Sequence, residues 1–76
     1  MDKLEFWDLI DEKLVSHGSV VAIKLYSGRT IGHVVAVEEN LKDDGTVILY
    51  LDWPIDEDEP GSNKIIVNYD EIERIK

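Results

Sequence analysis

The 76-residue chain has no cysteine. Disulfides and thiolate metal sites are thereby excluded, and the absence fits a reducing compartment. Long apolar runs are missing too: none approaches the roughly 20 residues that span a bilayer, and Met1 is followed by a charged segment rather than a signal-peptide pattern. The chain therefore reads as soluble and cytoplasmic, with no membrane partner. Positive charge is scarce, with eight Lys and Arg against seventeen Asp and Glu and a net charge of −9. Binding to nucleic acid or anionic lipid depends on neutralising phosphates with Lys and Arg, so this composition opposes both.

Motifs for chemistry are equally absent. Neither a G-x-S-x-G turn nor an oriented base accompanies Ser16, Ser27 or Ser62, and Ser27-Gly28 is a hairpin turn rather than a phosphate loop. His17 and His33 lack the ligand spacing of a zinc site. His17 reads as a helix C-terminal residue, where partial positive charge is favourable, and His33 as a strand residue. No catalytic, cofactor-binding or metal-ligating residue is expected, and the chain reads as non-enzymatic.

What is present is pattern. Hydrophobic residues make up 43% of the chain, ordinary for one globular domain, although a core of this size is near the lower limit for folding alone. Self-association is a natural way to enlarge it. The spacing of Asp2 and Glu5 is that of a capping box, and it predicts a helix over 3–15 with Phe6, Trp7, Ile10 and Leu14 on one face. Gly18 is placed for a left-handed cap.

Val20 to Val37 is the strongest local signal. Two aliphatic runs flank Tyr26-Ser27-Gly28-Arg29, which predicts a tight hairpin with strands over 20–26 and 29–38. Alternation puts Val21, Ile23 and Leu25 on one face of the first arm, and Ile31, Val35 and Val37 with His33 on one side of the second. Gly32 inside a strand marks a bulge or bend where a small barrel would turn. Further strands follow over 46–52, 64–68 and 72–75, with Asp44-Gly45 as a turn signal before the third. That third strand is apolar on both faces, so its second face is expected to meet the helix or another protomer. The fold class is mainly β with one N-terminal helix, a five-stranded small barrel in a single domain.

A helix followed by five short strands, with a tight first hairpin and a turn before the last, resembles the Sm-like and SH3-like small barrels. The residues that carry the likeness run from Val21 to Gly32, similar to the first Sm motif, with Ile66-Val67 and Asp70-Glu71-Ile72 as a degenerate second one. RNA-binding members have an Asp and then an Asn after the second strand, where Glu39 and Lys42 stand here with Asn40 displaced. Asn68-Tyr69 replaces their Arg-Gly. The resemblance thus implies the fold, and ring or dimer assembly through strand edges, more than RNA contact.

Three functions compete. The first is a non-catalytic interaction module that binds a protein partner or itself through strand edges and an apolar patch around Tyr50 and Trp53. The second is an acidic nucleic-acid mimic, of a kind that phages and mobile elements encode. In it Glu38, Glu39, Asp43, Asp44, Asp56, Glu57, Asp58 and Glu59 stand in for phosphates against a basic protein. The acids at 56–59 lack the calcium-loop pattern and read as a solvated loop. The third and lowest-ranked is an Sm-like RNA binder using Lys24, Arg29, Lys42, Lys64 and Arg74. The first is the primary expectation.

Overall fold

The computed structural model describes residues 1–52 and 63–76. One helix, α1 (Lys3–His17), precedes five strands: β1 (Val20–Leu25), β2 (Thr30–Glu39), β3 (Thr46–Leu51), β4 (Lys64–Asn68) and β5 (Ile72–Ile75). A 3-10 turn, Tyr69–Glu71, joins the last two. All pairings are antiparallel, in the order β4-β3-β2-β1-β5. The class expected from sequence, mainly β with a leading helix, is the one found.

Local chemistry accounts for the helix limits. The Asp2 carboxylate accepts from the Glu5 backbone N–H at 2.9 Å, satisfying one of the orphan donors of the first turn. At the other end Gly18 adopts φ 76° and donates to the Leu14 carbonyl at 3.0 Å, a left-handed cap that a side chain would strain. Gly28, at φ 95°, makes the same use of its freedom in the β1–β2 turn, where it donates to the Leu25 carbonyl.

The sheet rolls up because its two edge strands are consecutive in the chain. A flat five-stranded sheet would hold its edges about 19 Å apart, four spacings of ~4.8 Å. The four steps from Asn68 to Ile72 span at most about 14 Å when fully extended. The sheet must therefore curl to let β4 hand over to β5. It stops short of closure: among the described residues β4 pairs with β3 alone and β5 with β1 alone. The expected barrel is a strongly rolled open sheet.

β2 is the corner. Its first half pairs with β1 and its second with β3, and the register shifts between Val34 and Ala36. His33 sits at φ 55°, the one non-glycine residue in the left-handed region among those described. This corrects the expected facing. Strict alternation places Ile31 and Val35 together, but the left-handed backbone of His33 lies between Ile31 and Val34, which are the buried pair, and Val35 is outside. In β1, likewise, Val20 is buried and Val21 is 66% exposed. Gly32 lies one residue before the bend rather than at it, and its Cα closely approaches β1, where a Cβ would meet the Val21 carbonyl oxygen at 3.4 Å.

A single core fills the concave side. Phe6 and Ile10 of α1 are fully buried against Val20, Ile23, Val34, Val47, Leu49 and Ile72, with Trp7 and Leu14 packed at its margin. The helix stripe is the one read from its spacing. It covers the inner face of the sheet, so among the described residues the outer face of β3 receives no helix.

Candidate interaction surface

The outer face is built from cross-strand rows. Glu38, Ile48 and Ile66 form one row across β2, β3 and β4, and Ala36, Tyr50 and Lys64 form the next. Ile48 lies at the centre and is only 8% exposed, while Ile66 beside it on the edge strand is 53% exposed. The β2–β3 connection stands over the end of these rows and carries Leu41, 88% exposed. Together they line a shallow groove of about 280 Å³ with an apolar floor and a charged rim of Glu38, Glu39, Lys42 and Lys64.

The connection is held upright by its own polar side chains. Asn40 Oδ1 accepts from the Lys42 N–H at 3.1 Å and Asp43 Oδ1 from the Gly45 N–H at 3.0 Å, two successive Asx turns. Asp44 and Gly45 occupy the middle of the turn closed by the Thr46 N–H on the Asp43 carbonyl, as the Asp-Gly pair signals. Asn40 Nδ2 donates to the buried Thr46 hydroxyl at 2.8 Å, and that hydroxyl donates to the Asp43 carbonyl at 3.1 Å. Leu41 is thus fixed in the open by hydrogen bonds on either side of it.

Of the residues singled out from sequence, the fold brings Tyr50 and Glu38 together. The phenol donates to Glu38 Oε2 at 2.6 Å. That hydrogen bond, aided by partial desolvation and the carboxylate charge, raises the Tyr50 pKa above its ordinary value. Glu39 lies 3.9 Å from Lys3 Nζ, which seats the start of α1 beside the end of β2. Trp53, Asp56, Glu57, Asp58 and Glu59 lie outside the described residues.

Acids far apart in sequence converge at one end. The Tyr69 N–H donates to the Gly45 carbonyl at 3.1 Å, and Phe6 packs edge-on against the Tyr69 ring at 5.4 Å. With the Lys3–Glu39 contact, these bring the start of α1, the end of β2, the β2–β3 connection and the 3-10 turn to one end of the sheet, and each of these segments carries a pair of acids: Asp2 and Glu5, Glu38 and Glu39, Asp43 and Asp44, and Asp70 and Glu71. Sequence reading found the second and third of these pairs but not their neighbours, because separate chain segments supply the others.

Leu41, Ile66 and Lys64 were also not anticipated as surface contacts for a protein partner. A signal was available for Leu41, a lone large apolar residue inside a polar connection. Ile66 was hidden in an apolar run whose exposed face only the sheet order reveals. No family model, curated protein or solved structure matches the chain.

Among the described residues no three His, Asp or Glu side chains converge as metal ligands, and no helix is long and apolar enough to cross a membrane. His17 and His33 are both exposed, on α1 and β2 respectively.

Proposed function

We propose that the protein is a non-catalytic interaction module, a small cytoplasmic domain of the Sm-like or SH3-like kind. It binds a protein partner, itself or both through the edges of its rolled sheet and the apolar groove beside β4. The observation that carries this reading is an edge strand, β4, with no second neighbour among the described residues and with Ile66 and Leu41 held open next to it. Edge backbone groups supply generic affinity, and side-chain pockets beside an edge supply selectivity.

The acidic pole favours a second reading, a nucleic-acid mimic that occupies the basic cleft of another protein. Four segments that carry acids lie there, with Lys3, Lys42 and the Met1 ammonium among them, and in a chain of net charge −9 such a field accelerates association with a basic partner. An affinity capture from the native cell, washed at low and at high salt, separates the two. A partner retained at high salt supports the apolar edge, because Debye screening leaves burial intact. A partner lost at high salt supports the mimic. Capture of neither at low salt removes both.

A further inference from the structure

We propose that the outer face of β2, β3 and β4 packs against the same face of a second copy of the chain, about a two-fold axis running along β3. The inference deepens the interaction-module reading by naming the occupant of its groove.

Charge selects the occupant. The chain carries −9, so two copies repel over most of their surface. The groove rim is the exception: Glu38 and Glu39 are offset by Lys42 and Lys64, and the floor between them is Ile48 and Ile66. A strongly basic partner would meet two lysines there, and a strongly acidic one two glutamates. A surface with both signs on either side of an apolar centre suits its own rotated copy.

Register makes that complementarity specific. A two-fold along β3 lays β2 of one copy over β4 of the other, an isologous contact in which every interaction forms twice. Glu38 and Lys64 flank β3 on opposite sides, in adjacent rows. Rows on one face are about 6.8 Å apart, two residues of strand rise. After the rotation each Glu38 lies on the same side of the axis as Lys64 of the second copy, one row along the strand, and the two long side chains point toward each other across the roughly 10 Å between packed sheets. Ile48 faces its own equivalent near the axis, and Ile66 and Leu41 lose their exposure around it.

Sedimentation equilibrium of the full chain, from micromolar to millimolar, tests the arrangement. The wild type is expected to form a dimer. Glu38→Lys and Lys64→Glu each turn two attractions into repulsions, and each should weaken the dimer about tenfold or more, since exposed pairs individually are modest but act here twice. The double variant E38K/K64E restores the pairs with their signs exchanged and should recover most of the affinity, with circular dichroism checking the fold of each protein. A monomer at millimolar concentration overturns the proposal. So does a dimer indifferent to both reversals, or a double variant no better than the singles. If a cellular partner is still captured by a strictly monomeric protein, this inference fails while the interaction-module reading survives.

Discussion

The indole Nε1 of Trp7 donates to the Tyr69 hydroxyl at 2.9 Å. This bond ties α1 to the 3-10 turn through which β4 hands over to β5. Phe6 meets both rings edge-on, at 5.6 Å from Trp7 and 5.4 Å from Tyr69. The helix therefore closes the concave side at the point where the sheet itself stays open. Three aromatic rings substitute for the missing β4–β5 ladder.

Tyr69→Phe keeps the ring contact and removes the acceptor of the indole N–H. We expect a loss of about 1 kcal/mol, the usual net worth of one hydrogen bond. Tyr69→Ala should lose about 3–5 kcal/mol, since it also opens a cavity beside Phe6. Urea denaturation followed by tryptophan fluorescence measures both. Equal losses for the two substitutions would show that the ring packing contributes nothing.

Phe6 is fully buried in a core near the minimum size for independent folding. Truncation to Ala costs about 3–5 kcal/mol, comparable with the whole stability such a core supplies. Phe6→Ala should be largely unfolded at room temperature by circular dichroism. A cooperative melt close to that of the wild type would mean that α1 contributes little to the core.

His33 sits at φ 55° in the bend of β2. A β-branched residue tolerates that conformation poorly, so His33→Val should destabilise by about 1–2 kcal/mol. His33→Asn and His33→Gly should be close to neutral, because both adopt the left-handed region more readily. Thermal melts of the three variants give the order. If Val proves as stable as Asn, the bend is relieved elsewhere in β2.

Tyr50 should ionise above its ordinary value near 10, and Glu38→Ala, which removes the hydrogen bond and the neighbouring charge but not the desolvation, should lower it part of the way back. A raised folded-state pKa means that the Tyr50–Glu38 bond stabilises the fold fully below the unfolded value and is lost as pH rises through the folded one. The expected window is therefore alkaline, above about pH 10. Phenolate absorbance titration of the wild type and the variant reads the shift directly. Superimposable curves would show that the hydrogen bond is not maintained in solution.

Added salt should raise the melting temperature. With a net charge of −9 and two ion pairs among the described residues, self-repulsion outweighs attraction, and screening weakens the repulsion more than it weakens the pairs. Calorimetry at low and at physiological ionic strength checks the sign. A melting temperature that falls with salt would place the ion pairs above the repulsion.

The elements were legible because their signals are local. The carboxylate of Asp2, the glycine at 18, the turn around Gly28 and the Asp44-Gly45 pair each act within a few residues, and each forms the cap or turn its chemistry favours. The helix stripe of Phe6, Trp7, Ile10 and Leu14 was readable for the same reason, since a fixed period of 3.6 residues decides which side chains share a face. Facing in β1 and β2 was less legible. Strict alternation holds only while a strand keeps an extended backbone, and across the left-handed His33 it is Val34 rather than Val35 that joins Ile31 in the core.

Sequence by itself determined the helix, the order and approximate limits of five strands, the acidic balance and the lack of cysteine chemistry. Tertiary structure alone decided that the sheet rolls without closing, that α1 takes the inner face, and that four acid-bearing segments lie at one end of the sheet. It also set Ile48, Ile66 and Leu41 side by side between Glu38 and Lys64. Those outcomes depend on strand pairing between residues tens of positions apart, and local backbone preference carries no information about which distant partner a strand will find.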